Sequence, residues 1–205
     1  MNARLVRAHA LLITLSLVSS MAAAETGSAL STAVIGHAAL NQAHGVIAVN
    51  QAAGDDNQQA NLRAFAGNSD SASIDASVLL DQSATNAPVR ADGVMQAHVA
   101  AAFQSMRGVL SINQVAGAGN RQGNLVSIGR GHGGEVLSDR VLSENVAVSP
   151  SPAAVEASTT KVRQVSIDDN AFVGARGIVQ LNQTAGVGNQ SANLLGIRIV
   201  PDLHP

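Results

Sequence analysis

Cysteine, tryptophan and tyrosine are absent from this 205-residue sequence, and phenylalanine occurs only three times. Without cysteine, the chain can form neither disulfide bonds nor thiol-based catalytic sites. Without many large aromatic side chains, it lacks the usual fillers of a globular core. Its apolar residues are mainly Ala, Val, Leu and Ile, while Asn, Gln, Ser and Gly dominate its polar residues. This composition favours thin, regular, stacked β-structure over a compact globular core.

The first 24 residues have the pattern of a secretory signal peptide. Arg4 and Arg7 form a positively charged start, residues 10–18 an apolar core, and residues 22–24 a small-residue cleavage site. The apolar run is shorter than the ~20 residues that a membrane-spanning helix needs. We therefore predict export, a mature chain that begins at Glu25, and no membrane insertion of that mature chain.

Charged residues are also scarce, at 13% of the chain. Removing Arg4 and Arg7 from the 12 Lys and Arg residues leaves ten basic residues against 14 acidic ones, a net charge near −4. The sequence contains no basic patch of the kind that binds nucleic acid or an anionic membrane surface. We therefore expect neither of these partners.

Three copies of one 18-residue stretch dominate the rest of the chain. They are residues 45–62 (GVIAVNQAAGDDNQQANL), 108–125 (GVLSINQVAGAGNRQGNL) and 177–194 (GIVQLNQTAGVGNQSANL). Without gaps, eight of the eighteen positions are identical in all three copies. Apolar residues on both flanks extend the unit to about 31 residues, so the sequence indicates a repeat protein.

The repeats divide the chain into eight segments. In order they are a signal peptide (1–24), an N-terminal segment (25–34), repeat 1 (35–65), linker 1 (66–97), repeat 2 (98–128), linker 2 (129–166), repeat 3 (167–197) and a C-terminal tail (198–205). The linkers carry Gly, Ser and Pro clusters typical of loops. Each also holds a short apolar stretch, at 78–82 and 136–140, that could form a strand or helical turn. We expect deletion of residues 70–92 to leave β-content and assembly largely intact.

Each repeat predicts a strand, a turn and a second strand. Bulky apolar residues such as Ile47 and Val49 flank a variable position (Ala48, Ser111 or Gln180). Because side chains alternate across a strand, the bulky pair should face inward and the variable position outward. The turn should contain Gly54, Gly117 and Gly186, since glycine adopts positive φ without steric cost. A third strand is predicted around Leu40, Phe103 and Phe172.

Amide side chains recur at the same repeat positions. If the repeats stack in register at the ~4.8 Å strand spacing, each amide can bond to its counterparts above and below. A buried amide without such a partner would cost ~1–3 kcal/mol. We therefore predict self-assembly ladders formed by four sets: Asn50, Asn113 and Asn182; Gln51, Gln114 and Gln183; Asn57, Asn120 and Asn189; and Asn61, Asn124 and Asn193.

The alternative is that these Asn residues only cap turns on separate hairpins, but an Asn-Gln pair inside a strand is not typical of turns. The predicted fold class is all-β, with three imperfect repeats forming stacked β-arch or β-solenoid-like layers, joined by irregular linkers.

No group of residues indicates catalysis, a cofactor or a metal site. Gly117-Ala118-Gly119 and Gly186-Val187-Gly188 lack the complete glycine pattern of a dinucleotide-binding loop and the helix that follows it. His132 has no neighbouring ligand cluster at metal-binding spacing. The acidic residues could pair for acid–base chemistry, but adjacent acids in polar turns are usually solvated; the candidates are Asp55, Asp56, Asp168 and Asp169. We therefore do not expect an enzyme.

The stretch from Val49 to Asn61, VNQAAGDDNQQAN, resembles the imperfect repeat of the Fap functional-amyloid proteins of pseudomonads and related bacteria. Three repeats separated by two less regular linkers are also similar to the Fap fibre subunits. The resemblance implies export across both membranes, one β-layer per repeat, and an extracellular or cell-surface fibre in a biofilm matrix. It implies that the partners are other copies of the chain and other amyloid subunits of the same system.

The chain departs from that family pattern at two points. It lacks the Cys-x-x-Cys that usually ends the fibre subunits, and it has Gln51, Gln114 and Gln183 where the family usually has an apolar residue. A minor subunit or an accessory member of the system is therefore left open beside the main subunit.

Three functions remain. The chain can be a structural fibre component, a soluble periplasmic or secreted chaperone-like accessory protein of the same system, or a surface adhesin. Unblocked sheet edges would favour the fibre component, and a capped edge would favour the accessory protein.

Overall fold

The computed structural model of the chain describes residues 13–15, 30–67, 80, 82, 93–130 and 161–200. Every regular element in these residues is a β-strand, so this part of the chain has no helix long and apolar enough to cross a membrane. The strands are β1 (Ile13–Leu15), β2 (Leu30–Ile35), β3 (His44–Ala53), β4 (Gln58–Gly67), β5 (Gly93–Val99), β6 (Arg107–Ala118), β7 (Arg121–Arg130), β8 (Lys161–Ile167), β9 (Arg176–Val187) and β10 (Gln190–Ile199).

The strands form three parallel sheets, and β2–β4, β5–β7 and β8–β10 each contribute one strand to each sheet. The first sheet has the order β2-β5-β8, the central sheet β1-β3-β6-β9, and the third sheet β4-β7-β10. We call β2–β4 layer 1, β5–β7 layer 2 and β8–β10 layer 3. The layers are in register, because Asn50, Asn113 and Asn182 are paired partners, and so are Leu62, Leu125 and Leu194. The predicted all-β stack of repeats is confirmed.

The central sheet lies between the other two sheets, so the chain reverses direction twice within each layer. One face packs against the first sheet through a buried apolar cluster that includes Ile35, Val99, Leu110 and Ile112. The opposite face is joined to the third sheet by side-chain hydrogen bonds. One of them runs from Asn124 Nδ2 to the carbonyl oxygen of Ile112 at 2.9 Å. In layer 2, every residue of the central strand from Leu110 to Ala118 is buried.

The first turn of each layer corrects one prediction. Leu40, Phe103 and Phe172 do not form a third strand, because each has left-handed backbone, with φ of 52°, 58° and 61°. They lie in the turns that follow β2, β5 and β8, and these strands are the first strand of each layer. The rings of Phe103 and Phe172 stack with their centroids 5.3 Å apart and pack against the apolar cluster. The recurrence of these residues at one repeat position therefore reflects a stacked turn.

The variable position of the central strand corrects another prediction. Ser111 and Gln180 are buried rather than facing solvent. Ser111 Oγ donates to Gln180 Oε1 at 3.2 Å, and Gln180 Nε2 donates to the carbonyl oxygen of Leu125 at 3.1 Å. They face the third sheet, which the assumption of one buried strand face did not foresee.

Parts of the predicted linkers belong to the ordered structure. Strands β5 and β8 lie largely inside the stretches assigned to linkers 1 and 2. Gln82 is buried and donates from Nε2 to the carbonyl oxygen of Gln122 at 3.3 Å. A Cβ added at Gly123 would overlap the side chain of Leu80, so this segment packs on β7. The apolar stretch at 136–140 lies outside the described residues.

Candidate functional site: amide ladders between the layers

The first ladder runs through the interface between the central and third sheets. Asn113 Nδ2 donates to Asn50 Oδ1 at 3.0 Å, and Asn182 Nδ2 donates to Asn113 Oδ1 at 3.0 Å. Asn113 and Asn182 are almost completely buried. Each amide thereby bonds to its own counterpart one layer away, which is the arrangement expected of in-register stacking.

A second ladder runs beside the first on the third sheet. Asn124 Nδ2 donates to Asn61 Oδ1 at 2.9 Å, and Asn193 Nδ2 donates to Asn124 Oδ1 at 3.0 Å. Within each layer the two ladders are joined, since Asn124 Nδ2 also lies 2.9 Å from Asn113 Oδ1. The same bond links Asn61 to Asn50 at 2.7 Å and Asn193 to Asn182 at 2.9 Å. The two ladders form one network that ties the layers and the sheets together.

A third ladder lies on the opposite face of the central sheet, because adjacent residues in a strand point to opposite sides. Gln114 Nε2 donates to Gln51 Oε1 at 2.8 Å, and Gln183 Nε2 donates to Gln114 Oε1 at 2.8 Å. Gln114 Nε2 also lies 2.9 Å from the carbonyl oxygen of His98 in the first sheet. The Asn-Gln pair therefore supplies one amide to each face of the central sheet.

The fourth ladder stacks the turns between the second and third strands of each layer. Asn120 Nδ2 donates to Asn57 Oδ1 at 3.0 Å, and Asn189 Nδ2 donates to Asn120 Oδ1 at 2.8 Å. Asn120 Nδ2 also lies 2.9 Å from the carbonyl oxygen of Gly186. The glycines of these turns have φ of 105°, 120° and 148° at Gly54, Gly117 and Gly186. Asn and Gly together hold each turn on the next one.

Sequence reasoning missed a further set of buried polar contacts. Gln122 is completely buried, accepts from Gln59 Nε2 at 3.1 Å and donates to Thr184 Oγ1 at 3.0 Å. The repeat position of Gln59 and Gln122 is held by Ser191 in the third copy, so it is not identical in all repeats. A search for polar rather than identical residues at each position would have found it.

The four predicted ladders all have the same direction. In each, the amide nitrogen of the later layer donates to the amide oxygen of the layer before it. Within these ladders, layer 3 therefore ends the stack with an acceptor at Gln183, whereas Asn57 Nδ2 of layer 1 donates back to the carbonyl oxygen of Gly117 at 2.7 Å. Gln183 Oε1 is buried and has no hydrogen-bond partner among the described residues. Its counterparts Gln51 and Gln114 each accept a bond from the next layer.

Arg63 is the one ionisable side chain among the described residues whose pKa is shifted by burial. Desolvation lowers the pKa of its guanidinium below the ordinary value. Its Nη2 donates to the carbonyl oxygen of Ile47 at 2.7 Å, while its Nε is buried without a described partner. Layers 2 and 3 have Val126 and Leu195 at this position, so the charge is confined to layer 1.

The acidic residues considered for acid–base chemistry lie in turns. Asp55 and Asp56 are exposed. Asp168 Oδ1 accepts a bond from the backbone nitrogen of Asn170 at 2.8 Å, and therefore closes a turn. His132 lies outside the described residues, among which no group of three His, Asp or Glu residues could hold a metal ion.

Comparison with known proteins adds one family. A family model described as the functional amyloid protein FapB/FapC family matches residues 16–200. No solved structure matches the chain. The matched range includes all three layers and the stretches between them.

Proposed function

Since this chain belongs to the functional amyloid protein FapB/FapC family, we propose that it is an exported subunit of an extracellular amyloid fibre in a biofilm matrix, and that the fibre grows when copies stack end to end. In this arrangement, layer 1 of one copy lies on layer 3 of the copy before it. The mature chain begins at Glu25 and reaches the cell surface or exterior through the periplasm.

The oxygen of Gln183, which has no hydrogen-bond partner among the described residues, supports this proposal most directly. Inside the chain, each glutamine oxygen in this ladder accepts a bond of 2.8 Å from the following layer. A fourth layer would supply the missing donor, and repeat 1 has the same glutamine at Gln51. Gln51 Nε2 donates to the carbonyl oxygen of Val34, whereas Gln114 Nε2 meets three acceptors. The two ends of the stack are therefore complementary, as donor and acceptor.

Such a contact joins two different surfaces of the same chain, so repeating it gives an open filament rather than a closed dimer. Layers 2 and 3 already show the contacts that a junction would repeat. Four amide bonds join their ladders, at Asn182, Gln183, Asn189 and Asn193. At ~0.5–1.5 kcal/mol each, these bonds contribute ~2–6 kcal/mol per junction, in addition to the backbone bonds of three strand pairs.

One observation favours the accessory-protein alternative. Strand β1 pairs with Ile47–Val49 and so occupies part of the free edge of β3 in layer 1. A blocked edge is what an accessory protein that does not polymerise would need. Because β1 lies inside the predicted signal peptide, this alternative requires that the exported protein retain residues 13–15. Cleavage before Glu25 would instead open the edge.

The test uses residues 25–205, purified unfolded and diluted into neutral buffer with seeds. We expect fibres with cross-β diffraction at ~4.8 Å and one copy per about 14 Å of fibre length, since each copy supplies three layers. Mass-per-length measurement by electron microscopy checks the second value. One copy per ~4.8 Å would mean that each chain lies flat in one layer, and would overturn end-to-end stacking. A protein that stays monomeric through long seeded incubation would favour the accessory role.

A further inference from the structure

Two sets of glycines lie at the contacts between layers, and they face opposite ends of the stack. The strand glycines are Gly45, Gly108 and Gly177, which are register partners at the start of the central strands. A Cβ added at Gly108 would overlap the carbonyl oxygen of Gly45, and one added at Gly177 would overlap that of Gly108. At Gly45, no described atom lies within 4 Å of the added Cβ. This set therefore points toward the layer 1 end.

The turn glycines point the other way. A Cβ added at Gly54 would overlap the carbonyl oxygen of Gly117, and one added at Gly117 would overlap that of Gly186. A Cβ at Gly186 meets no backbone of another layer, and its nearest described atom is the side-chain nitrogen of Asn189 at 2.8 Å. Within one copy, packing between layers therefore requires glycine at Gly108 and Gly177, and at Gly54 and Gly117. Packing between layers does not require glycine at Gly45 or Gly186, where the positive φ of 106° and 148° already favours glycine within the copy.

We propose that Gly45 and Gly186 are junction residues that fix which end of one copy meets which end of the next. The carbonyl oxygen of Gly177 in one copy lies against Gly45 of the following copy. The carbonyl oxygen of Gly54 in that following copy lies against Gly186 of the first. The proposal rests on the end-to-end stacking proposed above, and it names the second copy of this chain as the occupant of both surfaces.

The Gln183 oxygen, which accepts no hydrogen bond in the part of the chain that the structure describes, indicates the same polarity independently. Two layer 3 ends placed against each other would bring acceptor to acceptor at Gln183, with no hydrogen between them. Only a layer 1 end supplies both the glutamine donor of Gln51 and the glycine carbonyl of Gly54. The junction is therefore expected to have a single direction along the fibre.

The first experiment uses Gly45→Ala and Gly186→Ala in residues 25–205. Each variant has one damaged end and one intact end, so neither variant should form growing fibres by itself. An equimolar mixture should form a 1:1 complex that does not grow, because the intact layer 3 end of Gly45→Ala fits the intact layer 1 end of Gly186→Ala. Sedimentation velocity measures the complex, and seeded thioflavin fluorescence measures elongation. A small fraction of either variant should slow the growth of wild-type fibres.

Gly36→Ala controls for an added methyl group on the layer 1 surface, and the cysteine measurement below controls for backbone strain. Gly36 is also a layer 1 glycine with no described atom near the added Cβ, but its φ is not in the left-handed region. The equivalent positions, which follow β5 and β8 directly, already carry side chains in Ala100 and Asp168. This variant should elongate like the wild type.

A second measurement avoids the backbone strain that alanine brings at Gly45 and Gly186, where φ is 106° and 148°. His44 and Arg176 are exposed and lie two layers apart within one copy, but they become neighbours across the proposed junction. The double variant His44→Cys with Arg176→Cys can therefore form disulfides only between copies, since the chain has no other cysteine. Oxidised fibres should give a ladder of covalent multimers in denaturing gels. The single His44→Cys variant should give none.

Absence of multimers from the oxidised double-cysteine fibres would overturn the proposal, and so would elongation of both alanine variants at the wild-type rate. Failure of the wild type to form fibres would instead remove the proposed function itself. If the wild type and both alanine variants grow alike, only the assignment of Gly45 and Gly186 to the junction is wrong.

Discussion

Replacing Asn113 by aspartate should destabilise the protein at neutral pH more than any other single change in the first ladder. Asn113 is completely buried in layer 2. Its Nδ2 faces three acceptors, at 3.0 Å from Asn50 Oδ1, 2.8 Å from the carbonyl oxygen of Ala60 and 3.3 Å from Asn61 Oδ1. An aspartate of the same shape places an oxygen there, without a hydrogen to donate when it is ionised.

The size of the effect depends on which hydrogen bonds the aspartate breaks and which it still accepts. Two short bonds disappear at ~0.5–1.5 kcal/mol each, and a buried charge without a counter-charge costs ~3–5 kcal/mol. The other oxygen still accepts from Asn124 Nδ2 at 2.9 Å and Asn182 Nδ2 at 3.0 Å, which offsets part of this cost. The losses total ~4–8 kcal/mol, and the two retained bonds gain ~2–3 kcal/mol because hydrogen bonds to a charged group are stronger. We therefore expect the free energy of unfolding to fall by ~2–5 kcal/mol at pH 7.

This destabilisation should depend on pH. Burial and the three facing acceptors raise the pKa of the introduced carboxyl above its ordinary value of about 3.9, because both disfavour the charged form. A protonated carboxyl can donate one hydrogen bond to those acceptors. The variant should therefore recover stability below about pH 4 and lose it as the pH rises through the raised pKa of the folded state.

The assay is urea unfolding of freshly diluted residues 25–205, followed by circular dichroism at pH 7 and near pH 3.5. Asn50→Asp is the matched control, because Asn50 lies in the end layer and its Oδ1 keeps the bonds from Asn61 at 2.7 Å and Asn113 at 3.0 Å. Its free energy of unfolding should fall by less than ~1 kcal/mol. Equal destabilisation of the two variants, or an effect of Asn113→Asp that does not change with pH, would refute the ladder as the source of stability.

Four further predictions concern other parts of the chain. The full-length chain should elongate seeds more slowly than residues 25–205, because β1 occupies the Ile47–Val49 edge; equal rates in seeded thioflavin assays would count against this blockage. Phe103→Ala should lower the free energy of unfolding by ~3–5 kcal/mol, and Phe172→Ala by less because Phe172 is only half-buried; urea midpoints compare the two. Gly123→Ala should cost ~1–3 kcal/mol by displacing Leu80, and adding Leu80→Ala should recover part of that cost; additive effects would contradict the contact. The contacts of Leu80 and Gln82 also predict that deletion of residues 70–92 lowers stability, whereas the sequence alone predicted little effect.

The register of the stack could be predicted from the sequence. Identical amides at equal spacing satisfy their hydrogen bonds when like lies on like, so Asn50, Asn113 and Asn182 indicate the pairing of the three copies without any knowledge of the fold. The strand and turn within each 18-residue unit follow from local patterns as well. Alternation of bulky residues indicates the strand, and glycine at a position of positive φ indicates the turn.

The arrangement of the three sheets could not be predicted from the sequence, because it depends on which strand faces meet in space. Ser111 and Gln180 were expected to face solvent, and they are buried because the third sheet covers that face of the central sheet. Leu40, Phe103 and Phe172 are large apolar residues of the kind predicted to lie in a strand. In the structure they lie in left-handed turns and pack against the apolar cluster. Local propensity is a weak guide at such positions, since tertiary contacts outweigh it.

The sequence by itself determined how many layers the protein has and which residues lie above one another, because both follow from repetition along the chain. Only the tertiary structure decided that the layers have a direction. The common orientation of the donors within the four ladders and the opposite facing of the strand and turn glycines depend on how each backbone turns relative to the next layer. An identical residue at the same repeat position does not show which way its side chain or carbonyl group points. The difference between the Gly45 end and the Gly186 end is therefore seen only in the folded stack.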